Sequence, residues 1–170
     1  VAGMNSLTLY LKSSAGLTKW LEALPLLWDE LKSSTFTGKH HLIETLYEGE
    51  DLAYVASFHN LSIDEVISIH SKAQYHVLFL GFQPGFAYLH GLDTRLHTPR
   101  RAEPRIKVPK GAVAIGAAQT GIYPSDTPGG WHIIGHTNTT LFNSSHSQPC
   151  LMQPGDTLEF VALKNQGAGA

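Results

Sequence analysis

Apolar residues recur along the first part of the chain at helical steps. Leu17, Trp20, Leu21, Leu24, Trp28 and Leu31 follow three- and four-residue intervals, the spacing of one helix face. Pro25 inside that run predicts a kink or the start of a second helix. Leu52, Val55 and Phe58 fall on one side of a helix over residues 51–60. Ser62 with Glu65 forms a capping-box signature ahead of Val66, Ile67 and Ile69, which starts another. Leu7 to Leu11 and Leu42 to Leu46 read as short strands flanking the Trp20 helix, one βαβ-like piece. Such a piece buries too little apolar surface to stand alone. It must dock on the rest of the chain, be completed by strands upstream of Val1, or associate with a second copy.

Near residue 75 the pattern changes. Eight of the nine prolines lie between Pro84 and Pro154, and twelve of the sixteen glycines lie from Gly81 onward. Between them run short apolar segments: His76 to Leu80, Ala112 to Ile115, Trp131 to Ile134, Thr139 to Phe142 and Thr157 to Leu163. Many short strands at close spacing predict a barrel or sandwich. Pro154-Gly155-Asp156 marks a turn into the last strand. The expected organisation is an α+β chain in two parts: an α/β piece over residues 1–74, a mainly-β barrel over 75–163, and a frayed Gly/Ala tail over 164–170.

Composition narrows the class. Hydrophobic residues make up 42% and charged residues 15%, against roughly 25% charged in an average domain, so the chain has the makings of a packed core and not of a disordered one. The uncharged stretch from Tyr75 to Leu92 is interrupted by Gly, Pro, Gln and His and falls short of the roughly 20 apolar residues of a membrane helix. No basic cluster followed by an apolar run opens the sequence, and Cys150 has no second thiol to pair with, which together predict a cytoplasmic protein. A net charge of −2 argues against a general nucleic-acid binder.

The distribution of charge says more than its sum. Arg95, Arg100, Arg101, Arg105, Lys107 and Lys110 share sixteen positions with one acid, Glu103, while the remainder of the chain carries 6 basic against 13 acidic residues. Pro99, Pro104 and Pro109 stiffen the segment. A rigid, guanidinium-rich loop suits a carboxylate or phosphate, whose two oxygens match the forked donors; the other reading is a solvated basic loop. No aromatic residues interleave as stacking platforms for nucleic acid. The loop around Phe82, Pro84, Gly85 and Phe86, and that of Pro128, Gly129, Gly130 and Trp131, either frame a pocket or form tight barrel corners around a core Phe and Trp. Ten histidines come without a His-Glu-x-x-His pattern, a Cys pair or an Asp cluster, so no metal is expected. No nucleophile elbow and no Walker-type phosphate loop occurs.

These residues also carry a resemblance. Leu80-Gly81-Phe82-Gln83-Pro84-Gly85-Phe86, Thr98-Pro99-Arg100-Arg101-Ala102-Glu103-Pro104-Arg105, Gln119-Thr120-Gly121-Ile122-Tyr123-Pro124, Pro128-Gly129-Gly130-Trp131-His132-Ile133-Ile134-Gly135-His136-Thr137 and Pro154-Gly155-Asp156 occur in one order. Together they resemble the family that includes the B subunit of 5-oxoprolinase, the kinase inhibitor KipI and the first-subunit half of allophanate hydrolase and urea carboxylase carboxyltransferase-like domains. The resemblance runs from about Gly3 to Leu163 and implies a cyclophilin-like barrel over residues 76–163. Phe82-Gln83-Pro84 and Arg100-Arg101-Ala102-Glu103 are most similar to the 5-oxoprolinase branch. That branch implies a non-autonomous component of an ATP-dependent lactam hydrolase, acting with other subunits and with ATP bound somewhere in the complex. The alternatives are a KipI-like inhibitor of a histidine kinase and a carboxyltransferase-like half-domain for urea-type amides. Ligand-binding candidates are Arg100, Arg105, Gln119, Thr120, Tyr123 and Trp131, framed by the two glycine-bearing loops; no residue is assigned to the chemistry itself. Two positions depart from the family pattern: Glu44-Thr45-Leu46-Tyr47-Glu48-Gly49 stands where a Pro-bearing strand and longer loop are usual, and Gly135-His136-Thr137 replaces the more common Gly-Arg-Thr.

Overall fold

The computed structural model describes Gly3, residues 6–31 and residues 38–163. The chain divides into two units, Val1–Thr37 and Gly38–Ala170. In the first, α1 (Leu17–Leu31) runs through Pro25 as one element, so no second helix starts there. Leu7 to Leu11, expected as a strand, has a single bridge position at Leu7 and no strand. The expected tail beyond Leu163 lies outside the described residues.

The second unit begins earlier than the sequence pattern suggests, and the reason is strand pairing. β1 (His40–Thr45) does not complete a βαβ piece with residues 7–11; it lies parallel to β9 (Thr157–Ala162) and so belongs to the barrel. Helices α2 (Leu52–Phe58) and α3 (Ile63–Lys72) follow it and pack on the same core. The capping box at α3 is formed as the sequence predicts: the Ser62 hydroxyl accepts from the Glu65 N–H, and the Glu65 carboxylate accepts from the Ser62 N–H at 2.7 Å.

The remaining strands are β2 (Tyr75–Leu80), β3 (Ala87–His90), β4 (Arg105–Val108), β5 (Ala112–Gly116), β6 (Gln119–Ile122), β7 (Thr127–Gly129) and β8 (His132–His136). Seven form one sheet in the order β1-β9-β2-β3-β6-β5-β8. Its ends nearly meet: the Leu46 N–H donates to the His136 carbonyl at 2.8 Å and the His136 N–H returns to the Leu46 carbonyl at 2.9 Å. The architecture is a mainly-β, barrel-like sheet with helices against it, as expected. Thr139 to Phe142, which reads as a strand, makes one isolated bridge, Phe142 with Cys150.

β4 and β7 form a separate two-stranded sheet. This explains why every residue of β5 is buried, where a sheet with one wet face would alternate. Val113 and Ile115 point into the main core with Ile43, Leu89, Ile134, Leu158 and Phe160. Ala112 and Ala114 point the other way, into a smaller cluster with Phe86, Val108, Tyr123, Trp131 and Ile133. That second cluster is the floor of the site. No helix among the described residues is long and apolar enough to cross a membrane.

One polar chain crosses the main core. The Thr120 hydroxyl donates to the Ala114 carbonyl at 3.0 Å, so it accepts from His70 Nε2–H at 2.9 Å. That fixes the tautomer and leaves His70 Nδ1 to accept from the Tyr47 hydroxyl at 2.7 Å. His70 is fully buried, and burial pushes its pKa down from 6.5 to about 3. The unfolded chain binds a proton below its ordinary value while the folded chain does not, so stability is full above pH 6.5 and is lost as pH falls toward 3. Each pH unit inside that interval corresponds to about 1.4 kcal/mol. Urea unfolding of His70→Gln between about pH 7 and 4.5 is therefore expected to depend less on pH than that of the unsubstituted chain; parallel curves would show that His70 is not the titrating group.

Candidate ligand pocket

The hairpin loop between β2 and β3 forms one wall. Phe86 N–H donates to the Gln83 carbonyl at 3.0 Å and Gly81 N–H to the Phe86 carbonyl at 3.2 Å, a tight turn that buries Phe86 and leaves Phe82 59% exposed at the rim. Phe86 is the centre of an edge-to-face cluster: its ring centroid lies 5.0 Å from Tyr88, 5.3 Å from Phe82, 5.5 Å from Tyr123 and 5.6 Å from Trp131. Such pairs place the positive ring edge on the negative face of the neighbour.

Two glycines permit the second wall. A Cβ on Gly116 would lie 2.5 Å from the Trp131 indole, and one on Gly129 would lie 2.5 Å from the Tyr123 hydroxyl. The aromatic rings therefore lie directly on backbone. Tyr123 is buried and its phenol pKa is raised, chiefly by that burial, against a backbone hydrogen bond from Trp131. Between the walls lies a pocket of about 200 Å³, lined by Phe82, Phe86, Tyr88, Tyr123 and Trp131 with Pro128, Gly129 and Gly130, and bordered by Arg100, Arg101 and Pro104.

The basic loop separates into two roles. Arg100 is exposed, its guanidinium carbon 5.7 Å from the Trp131 ring centroid, and it forms no hydrogen bond or ion pair among the described residues. Arg101 and Arg105 are committed elsewhere. Arg101 Nη1 lies 3.1 Å and Arg105 Nη2 2.8 Å from the same oxygen, Asp51 Oδ1. The other Asp51 oxygen accepts from the Ile133 N–H at 2.7 Å. Arg105 also reaches Glu50 at 2.8 Å, and its side chain is only 15% exposed. Burial alone would raise the Asp51 pKa; the Arg105 hydrogen bond, the Ile133 N–H and the Arg105 charge outweigh it and hold the carboxyl below its usual range. The loop is pinned from its backbone as well, because the Arg101 N–H donates to the Gly130 carbonyl at 2.8 Å and His132 Nε2 lies 2.9 Å from the Pro99 carbonyl.

Of the candidates, Arg100, Tyr123 and Trp131 converge on the pocket with Phe82, Phe86, Pro128, Gly129 and Gly130. Arg105 does not join them: its guanidinium neutralises Asp51 and Glu50. Thr120 belongs to the core relay with His70. Gln119 is partly buried outside the lining, and Pro84 and Gly85 shape the hairpin loop without facing the pocket. Sequence reasoning missed Asp51 and Tyr88. For Asp51 a signal existed: two adjacent loop arginines and Arg105 need acids, Glu103 alone cannot serve them, and Asp51 stands just ahead of α2. Tyr88 gave no signal beyond strand alternation with Phe86.

The family "Carboxyltransferase domain, subdomain C and D" matches residues 1–152. The chain is 48% identical over 164 residues to the B subunit of 5-oxoprolinase from Haemophilus influenzae, covering 95% of this chain and 77% of that one. It is 45% identical over 168 residues to the same-named protein of Escherichia coli O157:H7, covering 96% and 77%. Among solved structures, PH0987 of Pyrococcus horikoshii superposes with a TM-score of 0.72 at 41% identity, over 90% of this chain and 70% of that one. TTHA0988 gives 0.72 at 38% identity, over 81% of this chain and 28% of that one. The urea amidolyase of Kluyveromyces lactis, at 20% identity, a TM-score of 0.64 and 11% of its own length covered, shares the fold.

The two arginine roles separate experimentally. Arg100→Ala is expected to leave stability within about 1 kcal/mol, as for other exposed charges. Asp51→Ala strands two guanidinium groups and the Ile133 N–H, and should cost about 3 kcal/mol or more. Arg105→Ala should fall between them. Denaturant midpoints measure all three, and an Arg100→Ala loss as large as that of Asp51→Ala would show that Arg100 is structural.

Proposed function

The chain belongs to the carboxyltransferase subdomain C and D family, and from that premise we propose that it is the B subunit of a 5-oxoprolinase, a cytoplasmic enzyme of several subunits that opens 5-oxo-L-proline to L-glutamate with ATP. The observation that carries the reading is the conjunction of 48% and 45% identity, over 95% and 96% of this chain, to two proteins of that name with a small aromatic pocket bordered by one free guanidinium. A compact ring with a carboxylate matches such a pocket: the ring lies against Trp131 and Phe86, and the carboxylate meets Arg100.

The residues present divide the labour accordingly. Arg100 supplies forked donors to two carboxylate oxygens, and the indole beneath it keeps the guanidinium in place without neutralising it. The buried aromatic floor excludes water from the ring face, which strengthens the charge interaction at the rim. Asp51 holds the loop that carries Arg100 against Gly130 and Trp131. ATP does not fit here: the pocket is small, offers one uncommitted cation, and no phosphate-cradling loop precedes a helix among the described residues. On this reading the nucleotide sits on a partner protein of the complex.

Purified alone, the chain is expected to release no glutamate from 5-oxoproline with ATP; mixed with the other subunits of its complex it should. Arg100→Ala in the reassembled complex should raise KM for 5-oxoproline roughly tenfold or more, the loss of one charge-assisted pairing, while assembly of the complex, followed by size exclusion, is unchanged. Turnover by the chain alone, or an Arg100→Ala complex with unaltered KM, would overturn the reading.

A further inference from the structure

In the β2–β3 loop one residue opposes its own backbone. Phe82 has a φ of 67°, in the left-handed region that glycine favours. The Gln83 N–H donates to the Gly81 carbonyl, two residues back, at 2.7 Å. A hydrogen bond of that span around a residue with positive φ makes a γ-turn of the rare, strained hand. Asn60 and Ala117 are the other non-glycine residues with positive φ among those described. Asparagine visits that region readily, and alanine brings only a methyl group. A bulky phenylalanine there is an outlier.

The loop has glycines, but at its neighbouring positions. Gln83-Pro84-Gly85-Phe86 is a type II turn, in which the Phe86 N–H donates to the Gln83 carbonyl at 3.0 Å, Pro84 sits second, and Gly85 sits third with a φ of 83°. Gln83 is fastened to the segment before β7 as well, since the Ser125 hydroxyl donates to its side-chain carbonyl at 2.8 Å. These contacts fix the chain just after Phe82 and hold it in a conformation that its side chain disfavours. Packing does not compensate. The phenyl ring keeps more than half of its surface in water, and its ring contacts are edge-to-face pairs with Phe86 at 5.3 Å and Tyr123 at 6.3 Å. Strain of this kind persists at ligand-binding positions when the surrounding structure over-determines it. Phe82 lines the aromatic pocket, with Arg100 on the same pocket's border.

We propose that Phe82 is the specificity-determining residue of this pocket, a strained clamp whose phenyl packs on the apolar ring of a bound carboxylate while Arg100 meets the carboxylate itself. The γ-turn places the phenyl at the rim before any ligand arrives, so binding need not order it. A ring-bearing acid gains from both residues. A short acid such as acetate reaches Arg100 alone. The inference rests on the oxoprolinase reading for the class of ligand, a ring with a carboxylate, and on nothing of its reaction.

Two substitutions separate strain from contact. Phe82→Gly removes the ring and relieves the backbone; Phe82→Ala removes the ring and keeps a Cβ at positive φ. Urea unfolding of the full chain should give Phe82→Gly a higher midpoint than Phe82→Ala, the reverse of the usual order, in which glycine loses more conformational freedom on folding. Binding is followed by NMR shifts of the full chain titrated with cyclopentanecarboxylate and with acetate. The unsubstituted chain should bind the ring acid roughly tenfold or more tightly than acetate, as expected from the apolar surface the ring buries, with shifts at Phe82, Phe86, Gly130 and Trp131. Both Phe82 variants should lose most of that preference and bind acetate as before, whereas Arg100→Ala should weaken both acids. A Phe82→Gly midpoint no higher than that of Phe82→Ala would show an unstrained turn. A preference that survives both substitutions would show a phenyl that touches no ligand. Either result overturns the proposal, as does a chain that binds neither acid. A reassembled complex that fails to open 5-oxoproline overturns the oxoprolinase reading instead, and the clamp stands on the midpoints and affinities of the chain itself.

Discussion

One carboxylate organises the site. Asp51 collects a guanidinium from each end of the 101–105 segment on one oxygen and the first backbone N–H after His132 on the other. A buried carboxylate is costly unless its hydrogen-bonding capacity is met by charge and by N–H groups together. Here that requirement fixes three separate stretches of chain relative to one another: the start of α2, the proline-stiffened loop and the start of β8. The rim of the aromatic pocket inherits its shape from this arrangement, because Arg101 is held in it by its side chain and, through Gly130, by its backbone.

The aromatic floor depends on the barrel in a different way. β5 is buried on both faces because the β2–β3 hairpin loop and the β4–β7 ribbon cover what would otherwise be its wet side. That cover is built from rings, and the rings stay close only because Gly116 and Gly129 present no Cβ. The pocket is thus a gap in the second core cluster and not a groove on the surface. Its walls move little without disturbing packing, which suits recognition of a small rigid ligand better than of a flexible one.

Much of this was legible from the amino-acid order, for identifiable reasons. Helix α3 announced itself through Ser62 and Glu65, because a capping box is a local device that tertiary context seldom overrides. The barrel strands showed through short apolar runs between turn residues, and the pocket loops through their glycines, prolines and aromatics. Long-range pairing was not legible. Leu42 to Leu46 looks like the partner of residues 7–11 because both flank a helix, whereas the structure pairs β1 with β9, matching His40 with Thr157 far along the chain. Nothing in a strand of six residues encodes which edge it joins. Thr139 to Phe142 failed for a related reason: its β-forming side chains find only the single bridge to Cys150.

The arginines show where sequence reasoning about charge stops. Arg100, Arg101 and Arg105 share a loop, a composition and a set of flanking prolines, and by spacing alone they are equivalent cations. What separates them is the partner each meets after folding: Asp51 and Glu50 for Arg105, Asp51 for Arg101, an indole face for Arg100. Pairing with a buried carboxylate turns a guanidinium into scaffold, since its charge is answered and its movement would strand the acid. Stacking on Trp131 restrains a guanidinium while leaving its charge unanswered. Of the three, only Arg100 stacks on a ring and leaves its charge unanswered, and the proposed carboxylate contact rests on that combination while its neighbours hold the loop in place.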